Sequence, residues 1–430
     1  MGANDPRWRR RSTFVVCALL IATLGACGDD DEASDSGTAA GDDGGVELTM
    51  WTRAGTEAQS QALVDAYNES HENQVELTIY PNEEYPAKIA SAAGADALPD
   101  IFTSDVVFAP NYVDQNLWQD ITEQFEGLEF HEDVAPSHVS AATSDDAVYA
   151  VPHTIDASVM FYNKDLYTQA GLDPEAPPET LEEFASQART IRQAVGGDTY
   201  GTYFGGNCGG CLVFTFWPSV WADGNEVMNA EGSESTIEEA AGVFEIYRAL
   251  YDEGVASPGS KDEGGPTWLG ALQTGKIGIA PGPSAWLQLL DDEGLDIGVS
   301  AIPGVEGGSS TFVGGDVAGI SATTDQTDAA WDFLSWTLSE DAQVEVLAKN
   351  GDVISRTDLA SNKYASEDER ILTINEVVGR GVTPFALRFN ESYNDPQSPW
   401  VETLRGALFG DDPAGALHDG AESITESLNS

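Results

Sequence analysis

Cys208 and Cys211, in Asn207-Cys-Gly-Gly-Cys211, place two thiols where three kinds of chemistry are open to them. They can close a small disulfide loop, act as a redox pair, or supply half of a zinc site. Zinc would need two further ligands, and the five histidines are scattered singly. A redox pair would need thioredoxin-like surroundings. The disulfide is the favoured reading, and no metal site is expected. Gly270-Ala-Leu-Gln-Thr-Gly-Lys276-Ile277 comes close to a phosphate-binding loop. It fails because Ile277 stands where a Ser or Thr hydroxyl must hold magnesium, and because helix precedes strand here. No Gly-x-Ser-x-Gly elbow and no His-Glu-x-x-His helix occurs. Acidic residues number 73 against 19 basic ones, so any pair chosen for glycoside hydrolysis is uninformative. Neither a catalytic residue nor a cofactor is expected.

Cys27 is a thiol of another kind. It ends Leu24-Gly25-Ala26-Cys27, after a basic stretch from Arg7 to Arg11 and an apolar one from Phe14 to Leu24. A secretory leader with a cysteine at the cut has this pattern, as in bacterial lipoproteins. The apolar run falls short of the roughly 20 residues that span a bilayer. Residues 1–26 are therefore expected to be a removed signal peptide. Cys27 is then expected to carry lipid, anchoring an exported chain to the outer face of the cytoplasmic membrane. An exported address also favours the disulfide. Residues 27–45, rich in Asp, Gly, Ser and Ala, have little to bury and read as a flexible tether. The net charge is −54. Nucleic acid, whose phosphates need a basic footprint, is excluded as a partner. Docking on anionic lipid through surface charge is disfavoured for the same reason.

The elements that must position a site follow from periodicity. Val46 to Trp51 and Val75 to Tyr80 alternate as strands, Glu57 to Ser70 and Tyr85 to Ala93 have helical spacing, and Asp100 to Thr103 is a short buried strand. This βαβα rhythm predicts a doubly wound, mostly parallel α/β sheet with helices on both faces. Ligands in such sheets bind beyond the carboxyl ends of the strands, which is where Arg53 and Asp105 fall. Further helices are predicted over Thr180 to Val195 (Thr180 as cap, Glu183 completing a capping box), Thr236 to Glu253, Gln326 to Leu347 and Trp400 to Leu408. Strands are predicted at Ile277 to Ala280 and Ile297 to Ile302.

The stretch Tyr149-Ala-Val-Pro152-His153-Thr-Ile-Asp156, continued by Phe161-Tyr162-Asn163-Lys164 and Gly171, resembles the signature of bacterial ABC-transporter extracellular solute-binding proteins of family 1. The maltose-binding-like group is the nearest likeness. Pro99-Asp-Ile-Phe102, Trp217-Pro-Ser-Val-Trp-Ala-Asp-Gly224, Gly282-Pro-Ser-Ala-Trp286 and Ala329-Ala-Trp-Asp-Phe-Leu334 match further family segments in order along the chain.

The resemblance implies a two-lobed fold that clamps a ligand in a cleft and makes or breaks no bond. Its lobes would comprise residues 46–154 plus 305–351 and residues 155–304 plus 352–430. The ligand implied is a sugar, such as the α-linked disaccharides maltose or trehalose, delivered by a monomer to the transmembrane subunits of an ABC permease. The same fold binding a non-sugar solute, or an extracellular glycoside hydrolase, are the alternatives. Asp156 falls where the family places a sugar-hydroxyl acceptor, and Arg53 where a loop supplies polar contacts. Asp105 and Asp316 are further candidates, the latter after Gly314-Gly315. Phe214 matches an aromatic position. Ser284 stands where the maltose-binding type carries a stacking ring, and Leu212 where it carries a carboxylate, two departures from the maltose-binding pattern. Sugar faces stack on aromatic rings, and among ten tryptophans the candidates are Trp217, Trp221, Trp268, Trp286 and Trp400.

Overall fold

Alternation puts Leu48, Met50 and Thr52 on one buried face of a first strand, β1 (Glu47–Arg53). The computed structural model describes residues 43–82 and 84–430; the leader, Cys27 and residues 27–42 lie outside the described residues. β1 is followed by α1 (Glu57–Ser70), β2 (Gln74–Tyr80), α2 (Tyr85–Ala93) and β3 (Ile101–Asp105), in the order read from the sequence. β2, β1 and β3 run parallel.

The next long strand, β4 (Val151–Asn163), is 13 residues long and nearly all buried. It changes partners along its length. Residues 151–157 pair with β7 (Val313–Ile320), whereas residues 158–163 pair with β5 (Ile279–Pro283) and β6 (Ile297–Ser300). The strand order is β2-β1-β3-β7-β4-β5, with β6 also on β4. Every ladder that involves β4 or β7 is antiparallel, so the sheet is mixed. The architecture is two-lobed α/β, and β4 carries the chain from one lobe's sheet into the other's.

A glycine makes the crossing possible. Gly315 has φ +108°, and a Cβ there would sit 2.1 Å from the Thr154 carbonyl oxygen. The register with β4 shifts directly after it, between Asp316 and Val317. A bulge of this kind re-aims the side chains beside it.

Helix chemistry follows the sequence with two adjustments. Thr180 caps α3 (Leu181–Val195) by accepting from Glu183 N at 3.0 Å. The Glu183 carboxylate reaches back to the N–H of Glu179 (2.9 Å) rather than to that of Thr180, one residue beyond the usual capping box. The expected single helix from Gln326 to Leu347 is broken into α5 (Thr327–Thr337) and a separate π-turn, Asp341–Leu347. Ser339 explains the break, because its hydroxyl accepts from Ala342 N at 3.2 Å and starts a new turn. Between α3 and α5 lies α4 (Gly209–Ala222), whose sequence is apolar around nearly its whole circumference. Such a helix must be buried. With α6 (Pro399–Phe409) it builds an aromatic knot in which Trp217 packs edge-on against Tyr393 and Trp400. Among the described residues no helix is long and apolar enough to cross a membrane.

Candidate functional site

The carboxyl ends of β1 and β3 deliver Arg53 and Asp105 to one place, and the bulge in β7 delivers Asp316 beside them. Asp316 is the direct cross-strand partner of Asp105. Arg53 Nε donates to both Asp316 oxygens, at 2.8 and 3.1 Å, and its Nη2 contacts Asp316 as well as Asp105 Oδ2 at 3.2 Å. Thr103 and Thr56 hydroxyls donate to Asp316 Oδ2 at 3.2 and 3.3 Å. Asp316 is fully buried, and these groups satisfy both of its carboxylate oxygens. Burial would pull the Arg53 pKa down, but the Asp316 and Asp105 carboxylates outweigh it and hold the guanidinium above its ordinary value. Asp105 is shifted up, chiefly by burial, with Arg53 opposing. Arg53 Nη1 has no partner among the described residues and is free for a ligand.

Asp156 sits opposite, where β4 changes lobes. Its Oδ1 accepts from Ser284 Oγ at 2.8 Å, Ala157 N at 2.9 Å and Ala285 N at 3.2 Å. Its Oδ2 has no partner among the described residues. Burial pushes its pKa up, opposed by these donors and by the backbone N–H of Ser284. Between these two stations opens a cavity of about 260 Å³, lined by Arg53, Gln59, Asp105, Asp156, Phe214, Phe312 and Phe389, among others. Behind it, His138 and His153 are buried, and burial lowers both pKa values to about 4. His153 Nε2 bonds Ser60 Oγ at 2.8 Å.

Of the residues singled out in the sequence, Arg53, Asp105, Asp156 and Phe214 line this cavity, with Asp316 and Ser284 directly behind the lining. The five expected tryptophans do not line it, because each packs elsewhere. Trp217 and Trp400 are fully buried in the aromatic knot, and Trp268 is buried against Trp286, 4.8 Å between ring centres. Trp286 folds back over Gly282, where a Cβ would meet its ring at 2.6 Å. Trp221 donates to Glu226 at 3.0 Å and packs on Trp217, away from the cavity. Ser284 makes no stacking contact; it holds Asp156. Gln59, Phe312, Phe389 and Asn394 line the cavity and were not anticipated. Phe389 and Asn394 lie in the segment between residues 380 and 398, which has neither helical nor strand periodicity to flag it.

Residues 62–373 match the family described as bacterial extracellular solute-binding protein. The chain belongs to that family. This solute-binding protein is 26% identical to the diacetylchitobiose binding protein DasA of Streptomyces coelicolor, over 95% of this chain and 96% of the other. It is 22% identical to the galactooligosaccharide-binding protein of Bacillus subtilis, over 96% of each. Among solved structures, the cyclic alpha-maltosyl-1,6-maltose binding protein from Arthrobacter globiformis superposes with a TM-score of 0.76, at 25% identity, covering 90% of this chain and 99% of that one. The sugar-binding protein MalE of Xanthomonas citri has the same fold, with a TM-score of 0.78 at 18% identity, covering 89% and 98%. The protein is thus an extracellular solute-binding protein of ABC transporters, with the two-lobed fold of the periplasmic binding proteins.

Proposed function

We propose that this protein captures a neutral saccharide in the cleft between its lobes and delivers it to an ABC permease. The observation that carries this reading is the cavity itself, where phenylalanine rings stand beside the free Nη1 of Arg53 and the free Oδ2 of Asp156. Ring faces suit the apolar side of a pyranose, and fixed donors and acceptors suit its hydroxyls. Sugar ligands in the names of the relatives support it. One guanidinium faces three carboxylates here, and Arg53 is already neutralised by Asp105 and Asp316. A phosphate or uronate would meet net negative charge and lose its hydration for no compensating pair.

The lobes, residues 46–154 plus 305–351 and residues 155–304 plus 352–430, rock about crossings near Thr154, Pro303 and Gly351. Ligand contacts made to both lobes favour the closed state. Cys27 carries lipid that confines this receptor near its permease, raising its effective concentration there. Cys208 and Cys211, with Cα atoms 5.2 Å apart, form a disulfide that fixes the start of α4 beneath Gly210 and Phe214. The protein acts as a monomer.

Calorimetric titration against neutral mono-, di- and oligosaccharides, with glycerol 3-phosphate and glucuronate as anionic controls, tests the reading. A neutral sugar binding at micromolar affinity or tighter is expected. Binding of the anionic solutes alone would overturn it. A Cys27→Ala protein is expected in the medium, still binding sugar but supporting uptake poorly; full uptake with secreted protein contradicts the anchor.

A further inference from the structure

Gln59, on the first turn of α1, lines the cavity and is tied to a residue that does not. Its Nε2 donates to Asp352 Oδ1 at 3.0 Å. Its Oε1 has no partner among the described residues, so the amide presents an acceptor to a ligand. Asp352 stands directly after the proposed crossing at Gly351, where φ is +85°. Both side chains are half-buried. Beside them Leu63, Leu347, Ala348 and Ile354 pack into an apolar cluster, and Gln59 is the one side chain among the described residues that hydrogen-bonds the Asp352 carboxylate. Burial pushes the Asp352 pKa up to about 6, with the bond from Gln59 opposing. Charged and titratable groups on the surrounding elements are not among the causes of that shift. They are Glu57 on α1, Glu345 and Lys349 in the turns before Asp352, Arg356 after it, and His153 and Asp156 on β4.

We infer that Asp352 positions Gln59 as a ligand contact, holding its carbonyl end toward the cavity only while the Asp352 carboxylate is ionised, so that capture of the saccharide weakens in acid. The inference rests on the saccharide reading above. An ionised carboxylate has acceptors alone. It must take the NH2 end of the amide, which turns the carbonyl end to the ligand. A protonated carboxyl can also donate. The amide is then free to turn over and to present an NH2 group where a ligand hydroxyl has a proton to give. The ionised form is the binding-competent one. It dominates at pH 7.5 and falls to about a tenth at pH 5, given a midpoint of about 6. Apparent affinity therefore falls as pH drops through about 6, by about tenfold at most from this group.

Calorimetry of maltose, diacetylchitobiose and β-1,4-galactobiose at pH 7.5 and at pH 5 tests this in wild type, Asp352→Asn and Gln59→Leu. For the sugar that binds, wild-type affinity is expected to fall by about threefold or more on acidification. The amide of Asp352→Asn donates and accepts at either pH, so it no longer selects one end of Gln59. Its affinity ratio between the two pH values is expected to be at least about twofold smaller than that of wild type, with a melting temperature at pH 7.5 no lower than wild type's. Gln59→Leu should show the same reduced ratio, and adding Asp352→Asn to it should change the ratio no further. Any pH dependence that all these proteins share belongs to Asp105 and Asp156. Equal wild-type affinity at the two pH values overturns the inference and leaves the saccharide reading standing. So does either single variant with the wild-type ratio. Absence of sugar binding at both pH values overturns the two together.

Discussion

The two walls of the cleft hold their carboxylates by different means. On the β1–β3–β7 wall, Asp316 and Asp105 are held by the Arg53 guanidinium, charge against charge. On the β4 wall, Asp156 is held by neutral donors alone: one hydroxyl and two backbone N–H groups. The ion-paired wall is therefore brittle, since removing one member strands a buried charge. The hydrogen-bonded wall is graded, since each donor contributes a modest share and leaves the others in place. Under the proposed reading, a receptor that closes on a neutral sugar gains from this division. One wall is a fixed reference surface, and the other presents a single free acceptor oxygen.

The largest expected effect breaks the first wall. Arg53→Ala should destabilise the fold by about 3–5 kcal/mol, because Asp316 is left buried without its partner. Chemical denaturation measures this, and the double variant Arg53→Met with Asp316→Leu should recover most of the stability but no ligand binding. A single variant as stable as wild type would place both walls on the same footing.

Acid should act behind the same wall. His138 and His153 have pKa values lowered to about 4 by burial, so the unfolded chain takes up protons first as pH falls. Their contribution is fully present above pH 6.5 and is lost between there and about 4, by roughly 3 kcal/mol each at most. Asp352, pushed up to about 6 by burial against its bond from Gln59, works in the opposite sense: its folded form keeps the proton longer, so stability falls as pH rises from about 4 to about 6. Unfolding free energies at pH 7 and pH 5 should differ less in His153→Gln than in wild type.

The second wall should respond in steps. Asp156→Asn keeps the size of the side chain but removes the charge, and should weaken ligand binding by about 1.5–3 kcal/mol, tenfold to a hundredfold. Ser284→Ala removes one of its three donors and should cost about 1 kcal/mol of affinity. It should also move the pH midpoint of binding upward, since a less-solvated Asp156 protonates more readily. Ser284→Thr should restore both. Trp286→Ala lies at the small end: with its ring turned onto Gly282 and Trp268, ligand affinity should change by less than about twofold, although stability falls through lost packing.

How far the sequence disclosed this arrangement differs between the walls. Arg53 and Asp105 end strands whose alternation is plain in the chain, so the rule for ligands in α/β sheets brought them together. Asp156 was legible through its neighbours, Pro152 to Lys164. The antiparallel course of β4 and β7 was not, because pairing between residues 151–157 and 313–318 is set by a turn of the fold that no local pattern records. The tryptophans misled because α4 is apolar on both of its faces, and no local pattern separates the face that turns Phe214 to the cavity from the one that turns Trp217 into the aromatic knot; Trp286 is claimed by the bare backbone of Gly282. Phe389 and Asn394 come from a segment without periodicity, where only tertiary packing decides which side chains face the cleft.

The most direct test of the account is a paired calorimetric titration of wild type and Asp156→Asn with the neutral saccharide panel. Wild type is expected to bind one sugar at micromolar affinity or tighter and the variant at least tenfold more weakly, with melting temperatures equal to within about 2 °C. Equal affinities in the two proteins, or no sugar bound by wild type, would contradict it.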